Sequence, residues 1–498
     1  MTAITENGAP SLETTGDARV NLFFKLTRDA YTNPKFYEWI DESMKVSEKD
    51  TLKILFNGRD CRGGKGDRKT FINAMAYISE KYPRLFRINA EIIPVYGRYR
   101  DLIELYDKIE DTFQRSYIIK ILKDQFELDS RNLNSNKSIS LLAKWFPSEN
   151  KKWSLRTDIY TEMCKVLFLT ATVTHYHLKR LRTEYLTPMR KRINIVENHM
   201  CMNNWDAIKL SEVPSIAINK FRAALTRHLP YKFYQWIQDV RQGKSKINSA
   251  QMYPHQLVNY YLNGGEYDDV IEEQWKNLVK TTDAFGTFDN CLAICDTSGS
   301  MAGVPLQVSV ALGILISSVA TEPFRNKIIT FSTHPVLHNI PDTLTTLKQK
   351  VFNVKSMHWE MSTNLEAVFY LILNTAKTFG VTQENMPKKL YIFSDMQFNE
   401  ATSYRNYYGQ VIPNVTNHEN IVNKYTEAGY TVPEIIYWNL RSNTTTDFPV
   451  KSDQEGVSLL SGYSPSIIKN IMKCAKMTPY NVMREVIDDD RYSLIAAP

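Results

Sequence analysis

The residues that decide the fold are Cys291 to Met301, CLAICDTSGSM. Five apolar residues end on an aspartate, and two serines follow at alternate positions in a loop kept tight by Gly299. A short unbroken apolar run reads as a strand buried on both faces. Its acid then stands at the strand's carboxyl end, where open α/β sheets gather their ligands. Asp and Ser oxygens suit a hard divalent cation, Mg²⁺ before Mn²⁺ or Ca²⁺. Asp296, Ser298 and Ser300 are therefore candidate metal ligands.

Working outward from this stretch, Gly303 to Ala320 (GVPLQVSVALGILISSVA) carries no charge and approaches the length that spans a bilayer. Gln307 and Ser309 are polar, Pro305 suits a first helical turn, and the run follows a strand directly, so a buried helix over 304–320 is expected. NKIITF (326–331) reads as the next strand. A helix near 364–379 precedes KKLYIFSD (388–395), another near 418–429 precedes EIIYWNL (434–440), and SIIKNIMKC (466–474) closes the series. Strands alternating with helices predict a doubly wound, mainly parallel sheet, placed at 286–480. Two of its loops carry the same oxygen chemistry: MSTN, with Thr363 before a helix, and YIFSDMQF, with Asp395 after an apolar strand.

Asp296, Ser298 and Ser300 in this order resemble the DxSxS signature of von Willebrand factor A (vWA) domains, with Thr363 and Asp395 at the places of that family's second and third metal loops. The resemblance implies a metal-ion-dependent adhesion site (MIDAS). In it serines hold a divalent ion, the threonine and aspartates bind directly or through water, and one coordination position stays open for an acidic group of a partner. A phosphatase of the haloacid-dehalogenase type would use Asp296 as nucleophile, with Ser332 and Asp395 assisting. That chemistry wants a second acid two residues later, where this chain has Ser298.

Residues 1–21 read as a flexible N-terminus, with no basic region and apolar core of a signal peptide. From 22 to 285 the apolar spacing is helical, in stretches such as FYEWIDESMKV (36–46), FINAMAYISEKY (71–82), DLIELYDKI (101–109) and YIIKILKDQFELD (117–129). This predicts an all-α helical-repeat domain ahead of the α/β domain, in a chain too long for one core. The tail 481–498 is expected to dock on the helical half through Arg491 and Tyr492. Six scattered cysteines form no CxxC pair, which suggests a reducing, cytoplasmic setting without disulfides.

A net charge of +7 makes an anionic partner plausible. The densest cationic segment, HYHLKRLRTEYLTPMRKR (175–192), sets Lys179, Arg180, Arg182, Arg190, Lys191 and Arg192 among tyrosines and histidines, as RNA contacts require, although a solvated helix face has the same look. RDCRGGKGDR (59–68) lacks the spacing of a phosphate loop. A glycine turn with Asp67 capping the next helix is the plainer reading, and Arg62, Lys65 and Arg68 are candidates for gripping RNA phosphates.

RDCRGGKGDRKTF, PVYGRYRDL, LTPMRKRINIVENHM and AQMYPHQLV resemble the helical half of Ro-like proteins, in a branch found in viruses, bacteria and plants. That resemblance covers about Leu22 to Tyr492. It implies a TROVE-like, HEAT-like helical-repeat domain able to close into a ring, completed by a vWA domain, in a monomeric, non-enzymatic ribonucleoprotein component. Single-stranded RNA ends would enter the ring and structured RNA would bind its basic face, as in RNA quality control. The alternative is a scaffold whose metal site captures an acidic residue of a protein partner.

Overall fold

The computed structural model describes residues 2–5, 7–148, 157–193, 195–249, 252–331, 334–357, 363–399, 417–442 and 447–497. The fold is mixed α and β: helices predominate from Ala18 to Asp283, and a six-stranded mixed sheet follows. The four amphipathic stretches anticipated above lie in helices Phe36–Val46, Lys69–Lys81, Tyr99–Lys108 and Thr112–Asn134. Each turns its apolar stripe inward, with Phe36, Ile40, Phe71, Met75, Leu102, Leu105, Leu122 and Phe126 fully or almost fully buried.

A hairpin of β1 (Thr2–Ile4) and β2 (Pro10–Leu12) opens the chain. The main sheet contains β3 (Cys291–Cys295), β4 (Lys327–Thr330), β5 (Leu337–Asn339), β6 (Lys389–Ser394), β7 (Glu434–Asn439) and β8 (Val457–Ser461), in the order β5-β4-β3-β6-β7-β8. Only β5 runs antiparallel, against β4. β3 lies between β4 and β6, with Cys295 opposite Thr330 on one side and Phe393 on the other. All five β3 residues are buried, as an unbroken apolar run demands.

The uncharged segment after β3 forms the helix Val304–Val319. It packs on β3, β4 and β6 and on the helix Pro254–Leu262 of the helical half. A helix covered on both sides is apolar all round, which accounts for its composition. No helix among the described residues is long and apolar enough to cross a membrane.

Residues 2–5 and 7–21 pack on the body of the protein, where their polar sequence leads one to expect a flexible segment. Thr5 Oγ1 donates to the Phe398 carbonyl at 2.8 Å, Gly8 pairs with Asn399, Leu12 pairs with Phe448, and Ala9, Ser11 and Thr15 are buried. Backbone pairing with distant strands supplies the order that the composition lacks. The chain's other end also lies on the helical half: the Arg491 guanidinium pairs with Asp60, the Tyr492 hydroxyl accepts from Asn57 Nδ2 at 2.8 Å, and the Tyr492 ring stacks on Tyr96. One continuous hydrophobic core joins the two halves, and a second, small core lies apart from it within 196–270.

Where the halves meet, Arg28 lies between the rings of Tyr253 and Tyr463, at 4.5 and 4.7 Å, and His255 packs against both tyrosines. Burial, and then the Arg28 charge, push the His255 imidazole down to about 3. It is neutral in the fold, whereas an unfolded chain protonates it below about 6.5. Stability therefore falls as pH drops below that value. Asp67, pushed up to about 6 by burial, contributes the opposite slope, so the informative quantity is a difference between variants. Between about pH 6 and 4, His255→Gln should flatten the dependence of unfolding free energy on pH by about 1.4 kcal/mol per unit. Identical slopes for the two proteins in chemical denaturation would rule out a buried neutral imidazole.

Candidate functional site

The carboxyl end of β3 delivers Asp296 into the middle of the sheet edge. Its amide donates to the Phe393 carbonyl of β6 at 3.0 Å, so the acid is held by strand pairing. Oδ1 accepts the Ser298 amide at 2.9 Å, and Oδ2 accepts the Ser394 hydroxyl at 2.5 Å. The Ser298 and Ser300 hydroxyls lie 3.1 Å apart, Ser298 buried and Ser300 at the exposed rim. Asp395, one residue past β6, is buried and accepts the Gln397 amide at 3.2 Å. Thr363 joins through Asn399, whose amide donates to the Thr363 carbonyl at 3.0 Å. Three loops, far apart in sequence, thus bring their oxygens to one end of the sheet.

Asp296 is fully buried, and its carboxyl is pushed above the usual range first by burial and then by the negative charge of Asp395. Two carboxylates in one low-dielectric region repel each other unless a proton or a cation intervenes. Thr363 Oγ1 is buried with no hydrogen-bond partner among the described residues, which is costly for a hydroxyl without a ligand. The donors are all oxygen, two carboxylates and three hydroxyls, a set that fits a hard divalent cation. No cluster of three or more His, Cys, Asp or Glu suited to a metal occurs among the described residues.

Arg441, on the loop after β7, was not anticipated. Its Nη1 donates to the Ser300 carbonyl, and its Nε lies 3.8 Å from Asp29 of the helical half. A lone arginine after a strand gives no sequence signal; only the sheet order places it beside the serine loop. Ser332, named for the phosphatase alternative, lies outside the described residues.

The cationic candidates divide. Lys65 is fully buried: its ammonium donates to the carbonyls of Phe23 (2.6 Å) and Leu26 (3.3 Å) and to Ser461 Oγ (2.6 Å), and burial pushes it down to about 7. It is unavailable to a phosphate, which corrects its place among the RNA contacts. Arg68 is taken up by Asp101 and Glu104 at 2.7 and 2.6 Å. Arg62 is exposed, with Nη1 on the Val95 carbonyl. Gly64 lies so close to the Asn57 carbonyl that a Cβ would collide with it, and Asp67 accepts the amides of Lys69 and Thr70, so the glycine-rich segment is a turn with a helix cap.

In segment 175–192, Arg190 is also structural, with its guanidinium on the Ala143 and Phe146 carbonyls and Ser148 Oγ, each at 2.8 Å. Arg180 pairs with Glu184 and lies over Phe168. Lys179, Arg182, Lys191 and Arg192 face solvent, while Leu181, Leu186 and Met189 form the inner stripe.

Residues 5–105 and 96–288 match the family described as a domain of unknown function, DUF2828, and residues 290–493 match a second such domain, DUF7788. The chain belongs to the DUF2828 family. Over 98% of its length it is 30% identical to an uncharacterised protein of Acanthamoeba polyphaga mimivirus, 87% of which is covered. No solved structure matches it. The two matched segments meet at Asp289, immediately before β3, where helices give way to the sheet.

The burial of Lys65 yields a direct test. Lys65→Met keeps the stem and leaves the carbonyls and Ser461 short of their charged donor, at a cost of about 2–4 kcal/mol in chemical denaturation. An unchanged midpoint together with weakened nucleic-acid binding would instead make Lys65 a surface phosphate contact.

Proposed function

We propose that this protein is a non-enzymatic RNA-binding protein on a Ro-like plan, with a vWA-type sheet domain holding a divalent cation. The distribution of charge carries the reading. Residues 175–247 contain fourteen Lys and Arg against five Asp and Glu, a balance of +9, whereas the whole chain carries +7. The remaining residues are therefore slightly acidic, at −2. A chain that gathers all its excess positive charge into one region has the electrostatic footprint of a nucleic-acid binder. Lys179, Arg182, Lys191 and Arg192 belong to that region and face solvent.

In the sheet domain, Asp296, Ser298, Ser300, Thr363 and Asp395 would hold the cation. The orphaned Thr363 hydroxyl and the mutual repulsion of the two carboxylates support this. Bound there, Mg²⁺ would offer a Lewis-acidic coordination position to an oxygen of a partner. Arg441 beside Ser300 favours an anionic oxygen. The same observation supports a second reading, in which the partner group is an acidic side chain of another protein.

Two measurements test these assignments. Charge reversal of Lys179, Arg182, Lys191 and Arg192 to Glu should weaken RNA binding by about tenfold or more and lower the slope of log affinity against log salt. Wild-type protein that fails to bind RNA even at low salt sinks the reading. For the metal, titration calorimetry with Mg²⁺ and Mn²⁺ should show one site, lost in Asp296→Ala and weakened about tenfold in Thr363→Val. Equal binding by all three proteins would place the ion elsewhere.

A further inference from the structure

The small core within 196–270 belongs to a satellite of the helical half. Helices Ser215–His228 and Pro230–Arg241 and the short turn Trp205–Ala207 surround Ile208, Leu225, Phe233, Trp236 and Ile237. The sequence of the second helix, PYKFYQWIQDVR, has more aromatic rings than this core takes in. Phe233, Trp236 and Ile237 point inward; Tyr231 and Tyr234 point outward, 90% and 65% exposed. Three residues apart, they lie on one face of the helix. Neither has a hydrogen-bond partner among the described residues, so neither ring is held down by its hydroxyl.

The Trp205 indole, packed against the small core, stacks flat on the exposed His228 ring, with centroids 3.9 Å apart at 5°. Lys232 Nζ donates to the Asp206 carbonyl at 2.6 Å, which fixes the turn that carries Trp205 to the helix that carries the tyrosines. Arg227 is exposed and makes no ion pair among the described residues. This surface lies inside the stretch that holds the chain's excess positive charge.

We infer that the face presenting Tyr231, Tyr234 and the Trp205–His228 pair is a stacking platform for unpaired bases of single-stranded RNA, with Arg227 supplying the charge for its phosphates. Exposed rings offer flat π-faces, which a duplex, whose bases are already stacked on each other, does not engage. A protein-docking hot spot would place such rings in a packed apolar patch with few charges at its centre. Here Tyr231 and Tyr234 flank Lys232, and Arg227 precedes them by about one turn. The inference rests on the RNA-binding reading and adds a surface outside any ring, with the residues that would engage unpaired bases there.

The test compares Tyr231→Ala/Tyr234→Ala with Tyr231→Phe/Tyr234→Phe in the full chain, by fluorescence anisotropy with a labelled oligouridine and with an RNA duplex of equal length. The alanine variant should lose at least about tenfold in oligouridine affinity, with duplex affinity and salt slope unchanged, and the phenylalanine variant should bind as wild type. Because both tyrosines are exposed, the thermal unfolding midpoint should not move. Oligouridine binding by the alanine variant equal to wild type, or an equal loss on both probes, overturns the platform while leaving RNA binding intact. A wild-type protein that binds neither probe at low salt overturns the RNA reading and the platform with it.

Discussion

One buried ammonium, that of Lys65, sets how the two halves of the molecule sit. The helix Ala18–Lys25 ends with carbonyls that have no partner further along the chain and that carry the negative end of the helix dipole. Lys65 places its cation against two of them, Phe23 and Leu26, and directs its third N–H to Ser461 at the end of β8. Three donors meet three neutral acceptors, which offsets only part of the cost of taking the amine out of water, and burial still pushes it down to about 7. From this anchor the chain runs on to Asp29 and Asn33, which bond to the backbone of Ser442, and the adjacent Arg441 reaches the Ser300 carbonyl. A contact in the helical half thereby fixes one rim of the oxygen cluster.

The opposite rim is braced by the first residues of the chain. Thr5 and Asn7 donate to the carbonyls of Phe398 and Gln397, and Gly8 pairs with Asn399, the residue that ties Thr363 to the Asp395 loop. Loops that present ligands are useful when their geometry is imposed from outside, since oxygens already in place lose little entropy on binding an ion. Here that support comes from segments nearly 400 residues away, and removing the N-terminal hairpin would loosen the donors without touching one of them.

The sheet was legible because its signals are local. CLAIC, KKLYIFSD and EIIYWNL are apolar runs of strand length, each followed by a polar turn, and they became β3, β6 and β7. The acid after β3 and the acid after β6 follow from the same pattern, since parallel neighbours must end together. β5 was missed because Leu337–Asn339 is three residues of half-exposed edge, too short to show a period. Lys65 was misread because a lysine in a glycine-rich loop is usually solvated, and nothing nearby in sequence reveals the helix end that claims it. Arg190 failed for the same reason, its acceptors being the carbonyls of Ala143 and Phe146. The order of the first 21 residues was hidden because backbone bonds to distant strands leave no trace in composition. Tyr231 and Tyr234 carry no sequence signal of their own, since in PYKFYQWIQDVR exposed and core aromatics alternate without a mark to tell them apart.

Separation of the two cores bears on how the proposed functions combine. The satellite's core meets the main body chiefly through the helix Asp269–Asp283, which gives Val270 to the small core and Ile271, Trp275 and Leu278 to the large one. Its cations are screened over about 8–10 Å at physiological salt. Of the cations in residues 175–247, those from Lys179 to Arg192 stand on helices whose inner residues Leu181, Leu186 and Met189 belong to the large core, and those from Lys209 to Lys246 lie in the satellite. The proposed RNA contacts thus stand on both cores, Lys179, Arg182, Lys191 and Arg192 over the large one and Tyr231 and Tyr234 over the small one. Ion binding and RNA binding would therefore share the large core, which holds both the sheet and the helices beneath Lys179 to Arg192.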